Sequence, residues 1–334
     1  MAVFSAHAVS QAASAPLGAA SAFNLVALGT VNARGKTVIP GNVGTSSDVG
    51  GRIAAANDIT EATAVGSELG SSSDPFGWAA NGYVMVAGTG VTATGYFNIN
   101  GGGNVYALAN SANYNWNESP IGSLTPSGPD PINFTALAAA LGAVALNLET
   151  LTPNGTVVLG AAPANPSWLV LSGTSATLNV FTLTAVQFAS VNNPLDIEVP
   201  AGSTVIINVD GTNVSLGAAI YVNGQRQSTS NSDGADILFN FADAAAVNFD
   251  AALYGSVLAP FATFNGNSEL GGTLIAAQID STGEVDNIEF GGKLPRVNVP
   301  EGGAPWLYLL LAGAACCAGF VIKRRAAARM ATAA

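Results

Sequence analysis

The sequence of 334 residues is poor in the side chains on which most enzyme chemistry depends. It contains one histidine, His7, and two cysteines, Cys316 and Cys317. Both cysteines lie in an apolar run near the C-terminus, so the long region before that run has no thiol and no disulfide. Without further histidine or cysteine, thiol nucleophiles, histidine-based triads and the usual zinc sites are excluded. The sequence therefore predicts a protein that is not an enzyme.

Positive charge is also scarce. Lys and Arg number 10 against 21 Asp and Glu, which gives a formal net charge of -11. Four of the cations follow the apolar run near the C-terminus. The chain before Lys323 therefore has 6 Lys and Arg against 21 Asp and Glu, a net charge of -15. Such an acidic surface repels phosphate groups, and nucleic acid is therefore excluded as a partner.

The last part of the chain has the pattern of a membrane sorting tail. Residues 304–322 are 19 residues without charge, and as a helix they would extend about 28 Å, enough to cross a bilayer. The cations Lys323, Arg324 and Arg325 follow directly, so we expect the C-terminus to stay in the cytoplasm and the preceding residues to be exported. A buried core helix is the alternative, but such helices usually show a polar face.

The first residues have the pattern of the end of an export signal. Residues 1–15, MAVFSAHAVSQAASA, end in small residues but have no basic start and no long apolar core. We interpret them as the remnant of a signal peptide, with a disordered Ala/Ser leader as the alternative. The predicted domains are thus this remnant, an exported domain at 16–298, and a tail at 299–334 that contains the transmembrane helix.

The exported domain reads as many short strands. Apolar stretches of four to seven residues, such as GYVMVAG, WLVLSG and STVIINVDG, recur between Gly, Asn, Asp and Ser. Many stretches are apolar throughout, and the turn residues return about every 20 residues, as in stacked parallel coils. We therefore predict a mainly β fold, a parallel β-helix or solenoid. A two-sheet β-sandwich is the alternative.

One α-helix is predicted beside the solenoid. Its apolar residues recur at steps of four, three and four, and so share one face: Leu137, Leu141, Val144 and Leu148. Asn133 or Thr135 can cap its start, and Pro153 with Asn154 and Gly155 closes the turn that follows. We expect this lateral helix to cover an apolar flank of the solenoid.

Two further segments carry structural predictions. In ILFNF, Asn240 alternates with Phe239 and Phe241, so its amide can bond between stacked coils. In GSVLAP, Gly255 and Pro260 bracket a strand of small apolar residues that suits a coil interior.

Few residues suggest a ligand site. Tyr114 and Trp116 alternate with asparagines in NYNWNESP, which we assign to a loop, where they would stack on sugars or seat a peptide, or else fill the end of the solenoid. The segment NSDGAD at 231–236 offers oxygen ligands that calcium tolerates, although a solvated turn explains it as well. The remaining acids are scattered along the sequence, so no catalytic residue, metal site or cofactor is predicted.

Both the tail and the predicted exported domain resemble known families. The tail resembles the PEP-CTERM sorting signal of Gram-negative bacteria through Val299, Pro300 and Glu301, although Gly302 stands where a second proline is common. That resemblance implies processing near Pro300 by an exosortase-type enzyme.

The exported domain resembles the bacterial choice-of-anchor A family from residue 22 to residue 292. GSVLAP at 255–260 and GGTLIAAQI at 271–279 are the most specific matches. The resemblance implies a β-helix with a lateral helix, similar to ice-binding adhesins, and no catalytic residues.

Together these observations predict an exported, surface-anchored protein without catalytic activity that acts in adhesion or extracellular-matrix organisation. Its precursor would sit in the inner membrane with a periplasmic ectodomain, and the mature protein would reach the cell surface or the extracellular matrix. Polysaccharide or matrix protein would be its partner. The alternative is a glycan-binding or glycan-cleaving β-helix protein, which two carboxylates within catalytic distance in one groove would favour.

Overall fold

The computed structural model divides the chain into two units, residues 1–295 and 296–334, and only parts of the first are described. The described ranges are 16–29, 39–45, 47–60, 64–69, 82–93, 96–100, 103–110, 113–117, 123–125, 130–160, 168–189, 194–228 and 232–295. The predictions for residues 1–15 and for the tail, including Val299, Pro300, Glu301, the apolar run 304–322 and Lys323 to Arg325, fall outside these ranges. In the described ranges no helix is both long and apolar enough to span a membrane.

Short strands dominate the described residues, as the spacing of apolar stretches and turn residues predicts. The strands before the long helix are β1 (Leu25–Ala27), β2 (Val43–Gly44), β3 (Ile53–Ala55), β4 (Asp58–Thr60), β5 (Ala64–Val65), β6 (Tyr83–Thr92), β7 (Tyr96–Ile99), β8 (Asn104–Asn110), β9 (Asn113–Trp116) and β10 (Leu124–Thr125). A short 3-10 helix, Gly18–Ala22, precedes them.

Two α-helices and the remaining strands follow. The helices are α1 (Phe134–Glu149) and α2 (Ala185–Ala189). The strands are β11 (Thr156–Leu159), β12 (Leu169–Ser172), β13 (Leu178–Thr184), β14 (Leu195–Glu198), β15 (Thr204–Asp210), β16 (Asn213–Leu216), β17 (Ile220–Val222), β18 (Gln225–Arg226), β19 (Ile237–Asn240), β20 (Ala246–Phe249), β21 (Leu253–Tyr254), β22 (Ser256–Gly266), β23 (Leu270–Gly271), β24 (Leu274–Ser281) and β25 (Val285–Asp286).

Strands from successive coils stack in parallel on three faces. Face 1 has the order β13-β15-β19-β22-β24-β1-β3-β6-β8-β10. Face 2 has the order β16-β20-β22-β24-β2-β4-β6-β8. Face 3 consists of β12-β14-β17 and of β21-β23-β25, which continues through Val49 to β5-β7-β9. Only β11 with β12 and β17 with β18 pair antiparallel in the described residues. The mainly β prediction with parallel strands is confirmed, and the β-sandwich is excluded.

The order of the coils along the stack differs from their order in the sequence. On face 1, β1 lies between β24 and β3, with Leu25 opposite both Leu274 and Ile53. The N-terminal coils therefore stack away from β1 on one side, and the C-terminal coils approach it from the other. We call the contact between these two sets of coils the junction. Nothing in the local sequence pattern indicates this arrangement, because it depends on which distant coils meet.

Helix α1 connects the two sets of coils and covers face 1. Near its start, the Asp130 carboxylate lies beside Gly88 at the end of the face 1 part of β6. Near its end, the Leu148 carbonyl accepts a hydrogen bond from the Asn208 Nδ2 atom of β15, at 2.8 Å. The helix thus carries the chain back along the stack. Its position confirms the predicted lateral helix.

The details of α1 match the sequence prediction closely. Asn133 caps the helix, and its Oδ1 atom accepts a hydrogen bond from the Ala136 N–H at 3.0 Å. Leu141 and Leu148 are buried, while Leu137 and Val144 lie at the margin of the buried face. The buried face of α1 is rotated slightly from the predicted one, because the small residues Ala138 and Ala145 also pack against the sheet. Their lack of bulk lets the helix approach face 1 closely.

Two apolar layers hold the solenoid together. Side chains that point inward from all three faces fill the interior, and side chains that point outward from face 1 pack under α1. On strand β1, Leu25 and Ala27 lie in the interior layer, whereas Val26 lies in the helix layer. Strands buried on both sides in this way are apolar throughout, which explains the continuous runs in the sequence.

The two predicted structural positions have different outcomes. Asn240 bonds between coils as predicted, since its Nδ2 atom donates to the Asn208 Oδ1 atom at 2.8 Å and to the Ala145 carbonyl of α1 at 2.9 Å. The prediction that Pro260 ends a strand is wrong, because β22 continues to Gly266. Pro260 instead lies at the corner where β22 passes from face 1 to face 2, inside an irregularity between Ala259 and Thr263. Proline suits such a position because it need not donate to a ladder.

Candidate functional site

Face 2 presents polar side chains on most of its strands, interrupted by Gly44, Gly90, Ala109 and Ala246. Between the inward positions, such as Val247, Phe264 and Ile279, the outward positions of successive coils align in register. We call this surface the polar face and define it by the following residues: Asp58, Thr60, Thr92, Asn213, Ser215, Asn248, Thr263, Asn265 and Gln278. Neighbouring strands are about 4.8 Å apart, so equivalent side chains repeat at that interval.

Side chains at one corner of the polar face bond to each other from coil to coil. The Thr89 Oγ1 atom donates to the Asn57 Oδ1 atom at 2.6 Å, and the Asn57 Nδ2 atom donates to the Asn42 Oδ1 atom at 2.8 Å. These bonds link three coils of the N-terminal set. Since the bonded side chains lose freedom before any ligand binds, the cost of ordering them is already met.

The polar face is neutral to acidic. Asp58 and the exposed Asp280 lie on or beside it, and the Asp280 carboxylate accepts a hydrogen bond from Gln278. The cations of the described residues, Arg52, Arg226 and Lys293, lie on other segments. The surface therefore suits hydroxyl or amide groups rather than anions.

Tyr114 and Trp116 lie on strand β9, so their assignment to a loop is wrong. Strand β9 pairs in parallel with β7, with Tyr114 opposite Phe97 and Trp116 opposite Ile99. The ring centres of Tyr114 and Phe97 are 6.2 Å apart, and those of Tyr114 and Trp116 are 5.7 Å apart. Both rings are half-buried against the interior layer, and burial raises the pKa of the Tyr114 hydroxyl. This geometry favours the end-filling role over a ligand platform, and a ligand contact stays a prediction.

The asparagines of β9, and Asn117 directly after it, are exposed. Asn115 donates to Asn98 at 3.1 Å, and Asn117 donates to Asn100 at 3.0 Å, so amide pairs connect β9 to the adjacent coil. The alternation of asparagine and aromatic residues is therefore the period of two of a strand, a signal that the sequence already contained.

Acids that are scattered in the sequence converge on face 3 at the junction. The inward residues Val49, Val285 and Leu270 align on three successive coils. They are directly preceded by Asp48, Glu284 and Glu269, and Asp286 directly follows Val285. Glu68 approaches Asp286 from the next coil. The sequence analysis missed this convergence because it depends on the coil register, although the spacing of about one coil between Glu269 and Glu284 was a signal.

Asp286 is the centre of this acidic group. It is 3% exposed, and its Oδ2 atom has no hydrogen-bond partner. Burial and the neighbouring carboxyl groups of Glu269, Glu68 and Glu284 raise the pKa of Asp286 from 3.8 to about 7. Because Asp286 is covered, a glycan cannot reach it, and the pair it forms with Glu269 does not provide the open groove of a glycosidase.

The candidate calcium segment is a short 3-10 helix, Ser232–Asp236, rather than a simple turn, and Asn231 lies outside the described residues. Burial and the Asp233 carboxylate raise the pKa of Asp236, while Lys293 opposes them. Within the described ranges no three acidic, histidine or cysteine side chains are placed to hold a metal ion. Calcium binding stays a prediction.

A cavity of about 540 Å³ lies at the start of α1. Its lining includes Leu28, Pro40, Asp130, Ile132 and Phe134. Burial raises the pKa of Asp130, although the Ile132 N–H donates to this carboxylate at 2.9 Å and opposes the shift. The lining combines apolar side chains with one acid, and nothing in it resembles a catalytic pair.

The stacking and the polar face define the class of the protein, a β-helix-like solenoid with a polar surface on one face. The chain belongs to the family described as an ice-binding-like adhesive domain, whose model matches residues 16–287. Membership indicates an adhesion-like or ice-binding-like role, an extracellular or surface protein, and a function that is not enzymatic. No curated protein matches the chain.

Two solved structures resemble the chain weakly. An ice-binding protein from the Antarctic ascomycete Antarctomyces psychrotrophicus gives a TM-score of 0.35 at 11% identity, over 84% of this chain and 100% of the other. A glycosylated ice-binding protein from an Arctic yeast gives a TM-score of 0.27 at 14% identity, over 86% of this chain and 99% of the other. At these scores the fold assignment rests on the strand pairings described above.

Proposed function

We propose that this protein is an exported, surface-anchored adhesive domain without catalytic activity, which binds extracellular polysaccharide or matrix protein on its polar face. The observation that carries the proposal is the parallel register of face 2, which aligns hydroxyl and amide side chains of neighbouring coils at one strand spacing, as at Thr60 with Thr92 and Asn248 with Asn265. Membership of the adhesive-domain family supports the same function.

The chemistry of the polar face limits its ligand. An array of Thr, Ser and Asn side chains offers donors and acceptors without strong charge, so each single contact contributes little. A repetitive ligand can make many such contacts at once, and a long polysaccharide or an extended polypeptide has that property. The neutral to acidic surface excludes ligands that need a basic site.

A binding array of glycans and matrix proteins, probed with residues 16–298, tests this proposal. Thr60→Tyr and Asn265→Tyr place a large ring on the polar face, and we expect about tenfold weaker binding of the captured ligand, a loss of about 1.4 kcal/mol. Val158→Tyr, at an exposed position on β11, is the matched control and leaves binding unchanged. Equal binding by all variants would contradict the role of the polar face, and turnover of a polysaccharide would contradict the absence of catalysis.

Ice is the second candidate ligand, favoured by the family description and by the aligned Thr60 and Thr92. The same variants measured for inhibition of ice recrystallisation distinguish it from a biopolymer. Loss of that activity only in the polar-face variants would support ice as the ligand.

The ligand contact proposed for Tyr114 and Trp116 is tested in the same array. Because both rings pack against the interior layer, Trp116→Ala is expected to lower the melting temperature without selective loss of binding. Lost binding at an unchanged melting temperature would assign these residues to the ligand site.

The anchoring part of the proposal rests on the tail sequence. Residues 304–322 and the cations from Lys323 to Arg325 support a membrane-held precursor in the inner membrane with a periplasmic ectodomain. Val299, Pro300 and Glu301 support processing by an exosortase-type enzyme and transfer to the cell surface. A reporter inserted after Asn298 should be active only outside the cytoplasm, and mass spectrometry of the mature C-terminus should find an end near Pro300.

A further inference from the structure

The acidic group at the junction has a geometry that the adhesive function does not use. Asp286 lies between two glycines of the neighbouring coils, Gly271 on one side and Gly50 on the other. A Cβ atom on Gly271 would collide with the ring of Tyr254, and one on Gly50 would lie 2.6 Å from the Glu68 Oε2 atom. The Tyr254 ring and the Glu68 carboxylate therefore lie over these glycines and cover Asp286 from both sides.

Among the described residues, the charged groups that act on Asp286 are acids. Glu269 and Glu284 lie on the C-terminal side of the junction, and Glu68 lies on the N-terminal side. Asp48 precedes Val49, the residue that bridges to Val285. Tyr254 donates its hydroxyl hydrogen to Glu269, and the Asn287 N–H donates to Glu68 at 2.7 Å.

These contacts leave the Asp286 Oδ2 atom buried and without a donor. A carboxylate in that position lies within hydrogen-bonding reach of the Glu269 carboxyl group, and two ionised carboxylates so placed repel each other strongly. A single proton between them removes the repulsion and supplies the missing hydrogen bond. The described acids do not surround one common point as a metal site requires.

We propose that Asp286 and Glu269 share one proton at the junction of the N-terminal and C-terminal coils, and that loss of this proton loosens the junction. The backbone bonds that would weaken join the two sets of coils beside Asp286. The Gly50 N–H donates to the Val285 carbonyl at 2.6 Å, and the Val285 N–H donates to the Asp48 carbonyl at 3.0 Å. The solenoid would thus be tightest in mildly acidic surroundings.

The direction of the pH effect follows from the raised pKa of Asp286. The folded protein holds the proton up to about pH 7, whereas the unfolded chain releases it near 3.8. Below pH 3.8 this group therefore does not affect the stability of the folded state. The stability falls as the pH rises from 3.8 to about 7, and it changes little at higher pH. Between pH 5 and pH 8 the folding equilibrium constant falls by about a hundredfold at most through this group.

Thermal unfolding of the full chain between pH 5 and pH 8 tests the proposal. Asp286→Asn keeps the shape of the side chain but needs no proton, so we expect its melting temperature to depend less on pH and to exceed that of the wild type at pH 8. Asp250→Asn, at an exposed acid that directly follows β20 on face 2, is the control and should follow the wild type. An Asp286→Asn variant with the pH dependence of the wild type, or with lower stability at pH 8, would overturn the proposal.

Hydrogen exchange locates the effect. After correction for intrinsic rates, the amides of Gly50 and Val285 should exchange faster at pH 8 than at pH 5 in the wild type, but not in Asp286→Asn. Uniform acceleration across the solenoid would contradict loosening at the junction. Stabilisation by calcium at both pH 5 and pH 8 that Asp286→Asn abolishes would also overturn the proposal, because the acids would then hold a cation instead of a proton.

Discussion

At the scale of single residues, buried amides connect elements that the apolar layers alone would leave free to slide. Asn208 and Asn240 occupy equivalent positions on β15 and β19, and their side chains form a short ladder that ends on carbonyl groups of α1. Apolar contacts are not directional, whereas these hydrogen bonds fix which turn of the helix lies against which coil. The ladder therefore sets the register of α1.

Replacement of Asn240 tests this role. Asn240→Ala removes the bonds to the Ala145 carbonyl and to Asn208, and leaves a buried Asn208 oxygen without this donor. We expect a loss of about 2–3 kcal/mol in the free energy of unfolding, measured with urea. Asn248→Ala, at a half-exposed amide on the polar face, is the control and should cost about 0.5 kcal/mol or less. Equal losses of stability in the two variants would show that the Asn208–Asn240 ladder does not stabilise the fold more than an ordinary surface amide.

The sequence predicted residue roles well where they depend on local alternation. Asn240 between two phenylalanines indicated an amide on the opposite side of a strand, and Asn133 before an apolar period indicated a helix cap. Trp116 was assigned to a loop although the same alternation was present. The convergence of Glu68, Glu269 and Asp286 was not predictable, because their contact requires the register of coils that are distant in sequence.

At the scale of secondary-structure elements, the corners between strands limit how closely coils can stack. Gly41, before β2, has a φ of +81°, and a Cβ atom at this position would lie 2.5 Å from the Gly29 backbone. Gly202, before β15, has a φ of +72°, but nothing lies within 4 Å of its Cβ position. Both glycines thus adopt a backbone conformation that would strain any other residue, and they differ in how crowded the Cβ position is.

This difference gives a prediction for the corners. Gly202→Ala should cost about 1–2 kcal/mol from the backbone conformation alone. Gly41→Ala adds the collision with a neighbouring backbone, and we expect at least about 1 kcal/mol more. Urea unfolding of both variants measures the difference. Similar costs would mean that the corner can relax and that close stacking there is not required.

The prediction of elements from sequence succeeded for type and failed for some boundaries. Helix α1 was predictable because its period, its cap and its exit turn are all local. Strand β22 was predicted to end at Pro260, but it turns a corner there and continues, since a proline without an N–H is tolerated where the ladder is already irregular.

At the scale of the whole molecule, the distinctive feature of the described residues is the junction. Strand β1 lies between β24 and β3, so residues from both ends of the domain form adjacent rungs. On face 2 the junction lies at β2, where Gly44 separates the polar residues of β24 from Thr60 of β4, and the acidic group lies on face 3 of the same coils. Both proposals therefore depend on the same stacking order, which no local pattern in the sequence reveals.

The formation of a disulfide across the junction tests this order most directly. Ala27, Ala276 and Ala259 lie on neighbouring rungs of face 1, all fully buried. With Cys316 and Cys317 replaced by serine, Ala27→Cys with Ala276→Cys places two cysteines about 4.8 Å apart, within the range of a disulfide. The control pair, Ala27→Cys with Ala259→Cys, lies two rungs apart at about 9.6 Å, beyond that range.

After oxidative refolding, peptide mass spectrometry without reduction should find the bond between positions 27 and 276 in most molecules, and little bond in the control pair. A bond that forms in the control pair, or two free thiols at positions 27 and 276 in a folded protein, would contradict the stacking of β1 on β24.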